Sequence, residues 1–249
     1  MTLILNTWIF EQAVAQGTSQ VDLVNRVARL GADGIEVRRE YFTDLPTETR
    51  AIHRAAQNAG LVVNYSVPDE LFTDTGQLNP KLPMYFAEGQ AMGIRKIKFN
   101  TGHFDRFTGD LATALSRLPL DQIELNVEND QTAVSGTVPA LKTFLEAVRQ
   151  QTSANVGYVY DLGNWAFTHG DAQASAQALA PYTHYIHLKN TQAVAGKLVT
   201  TDDLDTGMYD WRHLLTYLPH DVDFALEYPM ASDQQIAQQI QVFRQGVGD

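Results

Sequence analysis

The feature that most constrains the fold of this chain is an eightfold alternation between short apolar runs and longer segments with helical periodicity. Each run is rich in β-branched and apolar residues, which favours a β-strand, and alternating strands and helices are typical of a parallel sheet covered by helices. The predicted strands span residues 3–6, 34–38, 61–66, 96–100, 123–128, 156–161, 184–189 and 223–228.

A helix is predicted after every strand. The clearest spans residues 20–30, where Val21, Leu23, Val24, Val27 and Leu30 form an apolar stripe that Gly31 ends. The others span residues 47–59, 80–92, 110–118, 138–151, 172–179, 210–218 and 232–245. Eight such units predict an α/β fold, a (β/α)8 TIM barrel, and 249 residues is the typical length of one such domain, here residues 1–249. The phosphate-binding patterns GxGxxG and GxxxxGK[ST] are absent from the sequence, which argues against an open nucleotide-binding sheet.

The net charge and the lack of cysteine argue against several kinds of partner and metal site. The net charge of −11 repels phosphate backbones and anionic lipids, so neither a nucleic acid nor a membrane is expected as a partner. Without cysteine, any metal must be held by carboxylates, histidines or carbonyls, and disulfides are excluded. The first residues, MTLILNTWIF, lack a basic segment and a long apolar stretch, so we expect a soluble, uncleaved cytoplasmic protein.

Charged side chains occupy the last inward positions of most predicted strands. Residues two apart on a strand point to the same face, and active sites of such barrels lie at the C-terminal ends of the strands. One barrel mouth is therefore predicted to collect Glu36, Arg38, Lys98, Glu128, Asp161, His187, Lys189 and Glu227. Their apolar neighbours, including Ile35, Val37, Ile97, Val127, Ile186 and Leu188, are predicted to face the helices.

Four of these residues form a candidate metal site, because strands five to eight each contribute one: Glu128, Asp161, His187 and Glu227. Buried carboxylates need a compensating charge, and a divalent cation would supply it. Three oxygen ligands and one nitrogen ligand suit Mn²⁺, Mg²⁺ or Co²⁺, with Zn²⁺ a less decisive match. The alternative is a salt-bridge network without metal, in which Glu36, Arg38, Lys98 and Lys189 take part.

Short motifs at these strand ends resemble those of a known family. GIEV at 34–37 resembles the second-strand GhE motif, VEN at 127–129 the fifth-strand hEN motif, and DLGN at 161–164 the sixth-strand DxGN or DxGH motif. HLKN at 187–190 resembles HxKD, LEYP at 226–229 resembles hExP, and DTGMYDW at 205–211 resembles GxGxhDW. In order and spacing the chain resembles the xylose isomerase-like TIM barrels, which include sugar phosphate isomerases and epimerases, inosose dehydratase and endonuclease IV.

The resemblance implies one divalent metal ion held by Glu128, Asp161, His187 and Glu227. It also implies that Glu128 and Glu227 are catalytic and move a proton beside a carbonyl through an enediolate, which a metal bridging two substrate oxygens would stabilise. The expected function is thus that of an isomerase or epimerase acting on a small sugar or sugar phosphate. Candidate substrate-binding residues are Glu36, Lys98, His103, Asn164, Trp165 and Lys189.

Several alternatives stay open at this point. An inosose-type dehydratase would use the same chemistry, and a non-catalytic sugar-binding barrel would keep the scaffold, although intact Glu128 and Glu227 argue against it. Asn164 stands where many epimerases carry histidine and Asn190 replaces the HxKD aspartate, so substrate contacts on that side are expected to differ. The missing histidine and the acidic charge argue against a role like that of endonuclease IV. Family analogy favours a homodimer.

Overall fold

Eight parallel strands close into one barrel in a computed structural model that describes residues 1–248. Asp249, the last residue of the predicted domain, lies outside the described residues. In their order around the barrel, the strands are β1 (Thr2–Asn6), β2 (Gly34–Arg38), β3 (Val62–Phe72), β4 (Lys96–Gly102), β5 (Glu124–Glu128), β6 (Val156–Asp161), β7 (Thr183–Leu188) and β10 (Asp223–Leu226). A small antiparallel hairpin of β8 (Thr191–Val194) and β9 (Lys197–Thr200) follows β7. The predicted TIM barrel is confirmed.

At least one helix follows each barrel strand. The helices are α1 (Glu11–Ala15), α2 (Gln20–Leu30), α3 (Leu45–Ala59), α4 (Leu82–Met92), α5 (Leu111–Leu115), α6 (Val138–Gln151), α7 (Ala172–Leu179), α8 (Trp211–Leu215) and α9 (Asp233–Val247). In α2, the Ser19 hydroxyl accepts a hydrogen bond from the Asp22 amide at one end, and Gly31 takes the left-handed conformation at the other. All eight predicted helices are present, and α1 is a short helix that the periodicity did not indicate.

The third strand is longer than the apolar run predicts. The prediction ends at Ser66, whereas β3 continues to Phe72 after an irregularity in its pairing with β4. Beyond that point Glu70 pairs with Asn100, and Phe72 with Gly102. Hydrogen bonds to a neighbouring strand, rather than local residue preference, therefore extend this edge of the barrel mouth.

The apolar core is divided by the barrel wall. A large cluster lies between the strands and the helices, and it contains Ile35, Val37, Ile97, Val127, Ile186 and Leu188, as predicted. A second cluster inside the barrel consists only of Ile4, Val159, Tyr185 and Ala225 among the described residues. Most of the other inward-facing side chains are polar. The second cluster therefore separates a charged layer of Lys96, Glu124 and Asp223, at the N-terminal end of the strands, from the candidate site at the C-terminal end.

None of the helices within residues 1–248 combines the length and the apolar character that crossing a membrane requires.

Candidate metal centre

Four strand ends bring the predicted metal ligands together. Glu128 and Asp161 are the last residues of β5 and β6, His187 lies beside Asp161 near the end of β7, and Glu227 directly follows β10. One ligand atom from each of these four buried side chains lies within 4.8 Å of the other three. Parallel strands in register therefore place in one cluster residues that are up to 99 positions apart in the sequence.

The His187 ring occupies the centre of this cluster and is fully buried. Its Nδ1 lies 3.0 Å from Glu128 Oε1 and 3.1 Å from Glu227 Oε2, whereas its Nε2 lies 3.3 Å from Glu36 Oε2 on the other side of the ring. Burial lowers the pKa of His187, but the surrounding carboxylates, led by Glu36, raise it well above its ordinary value. In the protein without metal, His187 is thus a cation among carboxylates.

Two lysines face the same carboxylates. The Lys98 ammonium lies 2.9 Å from both Glu128 oxygens and 3.6 Å from Glu227 Oε1. The Lys189 ammonium lies 2.7 Å from Asp161 Oδ2 and 3.4 Å from Glu227 Oε2. The salt bridges that the sequence offered as an alternative to metal are therefore present, and their acidic partners include three of the predicted metal ligands, Glu128, Asp161 and Glu227.

These charges set the protonation of the carboxylates. Burial raises the pKa of Glu227, but Lys98, Lys189 and His187 together hold it well below its ordinary value. The pKa of Glu128 is likewise lowered, because Lys98 and His187 outweigh burial. Burial raises the pKa of Asp161 despite the attraction of Lys189. The two glutamates are accordingly ionised, as a metal ligand or a general base must be.

The donor set fits one divalent ion. Opposite ligands of an ion with bonds of about 2.2 Å lie about 4.4 Å apart, so the observed spread of up to 4.8 Å needs only a small contraction. The Oδ2 of Asp161 is buried and meets the geometry of no hydrogen bond among the described residues, although the Lys189 ammonium lies 2.7 Å away. Three carboxylates and one imidazole match the preferences of Mn²⁺, Mg²⁺, Co²⁺ and Zn²⁺.

A cavity of about 330 Å³ opens above the cluster. The predicted substrate-binding residues Lys98, Asn164 and Lys189 line it, as do Glu128 and Glu227. Side chains from the loops that follow the strands also contribute to the lining, among them Trp8, Asp130, Gln131 and Thr132. Its size suits a small polar molecule rather than a polymer.

Three other predicted substrate-binding residues lie elsewhere. Glu36 is fully buried below the cavity, where it contacts His187 and Lys98. His103 lines a neighbouring cavity of about 450 Å³ and lies 3.6 Å from Asp105. Trp165 is 1% exposed and packs against Tyr160, with ring centroids 6.0 Å apart. In this structure Glu36 is placed to act on the ligands rather than on a substrate.

Two asparagines to which the sequence analysis assigned no role hold the site together. The Asn6 amide donates to Glu36 Oε1 at 2.6 Å and to Glu227 Oε1 at 3.0 Å. The Asn129 amide accepts from the Asp161 backbone and donates to the Asp161 carbonyl, at 2.8 and 2.9 Å. Asn6 is the last inward position of β1, so the strand periodicity could have found it, but a search for charged residues overlooks a neutral amide.

Asn164 and Asn190, the departures from the family motifs, both have structural partners. The Asn164 backbone amide donates to Asp161 Oδ1 at 2.9 Å, and its side chain donates to the Asn129 carbonyl at 2.8 Å. The Asn190 side chain donates to the carbonyls of Leu204 and Tyr209, both at 2.8 Å. Asn164 thus orients the predicted metal ligand Asp161, and Asn190 anchors the segment that follows the β8–β9 hairpin.

Solved structures with similar folds include a sugar epimerase, a probable dehydratase and a zinc-binding protein. The chain is 16% identical to L-ribulose 3-epimerase, with a TM-score of 0.74, covering 100% of this chain and 95% of that one. It is 17% identical to the probable 3-DHS dehydratase AsbF of Bacillus anthracis, with a TM-score of 0.72 and 98% of each chain covered. It is 13% identical to the IOLI protein, whose structure contains a zinc atom, with a TM-score of 0.66, covering 100% of this chain and 98% of that one. At these identities the likeness shows the fold alone.

Comparison with curated protein sequences finds no match. The family model described as xylose isomerase-like TIM barrel matches residues 82–246, which is well over half of the chain and includes all four residues of the metal cluster. On the strength of that match, this chain belongs to the xylose isomerase-like TIM barrel family.

Proposed function

We propose that this chain is a divalent-metal-dependent isomerase or epimerase acting on a small sugar or sugar phosphate. One observation carries the proposal: ligand atoms of Glu128, Asp161, His187 and Glu227 converge within 4.8 Å, and two of these residues line a cavity of about 330 Å³. A metal-ligand set that opens on a small polar cavity supports an enzyme acting on a small molecule.

A divalent ion held by these residues would stabilise the negative charge that develops on a substrate carbonyl oxygen. Glu128 and Glu227 reach the cavity as ionised carboxylates, so each can accept a proton from the carbon beside that carbonyl or return it. Lys189 lines the same cavity and adds positive charge near the developing oxyanion. Glu36 contacts the far nitrogen of His187 and holds its ring in place.

Similar solved structures add support from outside the chain. They include L-ribulose 3-epimerase and D-psicose 3-epimerase, each aligned over the full length of this chain. The IOLI protein, which binds a zinc atom, is likewise similar over the full length of this chain. An epimerase needs two groups that exchange protons with the substrate, and Glu128 and Glu227 supply two carboxylates at this cavity.

A dehydratase is the second candidate, because the probable 3-DHS dehydratase AsbF has a similar fold across 98% of both chains. Elimination of water also begins with removal of a proton beside a carbonyl, so the same carboxylates would serve. Product analysis separates the two reactions. An epimerase or isomerase yields a product of unchanged mass, whereas a dehydratase yields a product lighter by one water.

The proposal is tested first by elemental analysis of the purified protein and of His187→Ala. We expect about one divalent ion per wild-type chain and a clear loss in the variant, because His187 is the single nitrogen ligand of the cluster. His220→Ala is the matched control, since His220 is exposed and precedes β10 at the opposite end of the barrel. It should retain the metal.

Metal binding then justifies a screen of ketoses, aldoses, their phosphates and inososes with Mn²⁺, Mg²⁺, Co²⁺ and Zn²⁺. If the wild-type protein holds no ion after incubation with any of these metals, the proposed function is wrong and the charge-paired barrel without metal is favoured.

A further inference from the structure

We propose that Lys98 is a resident cation of the metal-free centre, and that a divalent ion must displace its ammonium group from Glu128 in order to bind. This proposal rests on the proposed function, because both concern the same divalent ion. It adds which group compensates the charge of the buried carboxylates before the ion binds.

Of the two lysines at the site, Lys98 is the one that contacts Glu128. Its Nζ lies 2.9 Å from Glu128 Oε1 and 2.9 Å from Glu128 Oε2, so it engages both oxygens of one ligand. It also lies 3.6 Å from Glu227 and 3.8 Å from Glu36. Lys189, by contrast, pairs with only one oxygen of Asp161 and leaves Glu128 untouched. An ion therefore reaches Glu128 only by sharing or replacing the contact with Lys98.

The charges explain why such a cation is needed. Glu36, Glu128, Asp161 and Glu227 are all buried and lie within one small volume. Buried carboxylates without counter-charges would oppose folding strongly. The Lys98 side chain, which is 8% exposed, contacts three of these four residues. The barrel can therefore fold before any metal is present.

Once the ion binds, the same ammonium group becomes a nearby like charge. Removing it should have two effects of opposite sign. The metal-free protein should lose stability, because three carboxylates lose a counter-charge. The metal should bind more tightly, because repulsion disappears and both oxygens of Glu128 become available. A lysine with a purely structural role would lower stability without tightening metal binding.

The experiment compares wild type, Lys98→Met and Lys96→Met. Lys96 is the matched control, because it lies two residues earlier on the same inward face of β4 and is equally buried. It pairs with Glu124 at 3.1 Å and Asp223 at 3.5 Å, at the opposite end of the barrel from the metal ligands. The dissociation constant for Mn²⁺ is measured by competition with a chelating dye, and thermal unfolding is measured in excess chelator.

We expect Lys98→Met to bind Mn²⁺ at least about tenfold more tightly than wild type and to unfold at a lower temperature without metal. Lys96→Met should also unfold at a lower temperature, with an affinity for Mn²⁺ equal to that of wild type. Folding of Lys98→Met only when Mn²⁺ is added would support the inference as well, because the ion would then replace the missing charge.

An unchanged or weaker affinity in Lys98→Met, with wild type binding Mn²⁺, would overturn the inference and leave the proposed function intact. Absence of Mn²⁺ binding in every form would overturn both. Lys98→Gln gives the same comparison if the methionine variant does not fold. Failure of both variants to fold even with Mn²⁺ would also contradict the inference, because a cation that the metal replaces is dispensable once the metal is bound.

Discussion

The Nε2 of His187 lies 3.3 Å from the Oε2 of Glu36, on the side of the ring that faces away from Glu128 and Glu227. Both atoms are buried, and neither meets the geometry of a full hydrogen bond with any described residue. A histidine that binds metal through one nitrogen commonly donates the other N–H to a carboxylate, which fixes the ring and its tautomer. Glu36 is placed to do this for His187.

Glu36→Gln should therefore weaken metal binding by about 10- to 100-fold while the barrel stays folded. Isothermal titration with Mn²⁺ measures the affinity, and the ¹⁵N chemical shifts of the His187 ring report its tautomer. Glu48→Gln is the control, because Glu48 is also buried but accepts hydrogen bonds from the Thr43 and Asp44 amides at the start of α3. Equal effects of the two variants on metal affinity would rule out a positioning role for Glu36.

Glu128→Gln and Glu227→Gln should each abolish turnover, since an amide cannot accept the proton that a carboxylate removes. General bases contribute about 10²- to 10⁴-fold to rates, so the loss should be at least of that size. Steady-state kinetics on the substrate found in the screen, with circular dichroism as the check on folding, measures this. Glu146→Gln should retain full activity, because Glu146 pairs with Lys142 on the half-exposed face of α6. Normal turnover in both site variants would refute the assignment.

Asn129→Ala should lower the free energy of unfolding by about 2 to 3 kcal/mol, because it leaves buried partners unsatisfied. The Asn129 side chain accepts from the Tyr158 hydroxyl and the Asp161 amide, and donates to the Asp161 carbonyl. Tyr158→Phe removes only one of these bonds and should cost about 1 kcal/mol. Urea unfolding of both variants gives the comparison. The reverse order of the two losses would contradict the assigned role.

The charged layer at the other end of the barrel should affect stability in acid. Burial raises the pKa of Glu124, but His184 and Lys96 hold it below its ordinary value of 4.5. Because the folded-state pKa is the lower one, the stability that Glu124 contributes is present above about pH 4.5 and is lost as the pH falls through the folded-state value. The difference in unfolding free energy between wild type and Glu124→Gln should thus shrink from pH 7 to pH 3.5. A constant difference in urea unfolding would contradict this.

Sequence periodicity alone was sufficient to predict the barrel and the convergence of the four predicted metal ligands. A strand exposes every second residue to the same face, so the position of Glu128 or His187 within its run already tells which way the side chain points. The prediction of strand ends was less accurate where local residue preference does not determine the secondary structure. The continuation of β3 from Val67 to Phe72 depends on hydrogen bonds to β4. The residues of one segment do not show which other strand it will pair with.

Only the tertiary structure decided which charges pair across the barrel and which loop side chains face the cavity. Lys98 meets Glu128, 30 residues away, and Asn6 meets Glu227, 221 residues away. His103 and Trp165 follow strands β4 and β6 as expected, yet one lines a neighbouring cavity and the other packs into the core. Periodicity determines the direction of a side chain on a regular strand. Distances across a closed barrel, and the paths of loops without periodicity, depend on how all eight strands pack together.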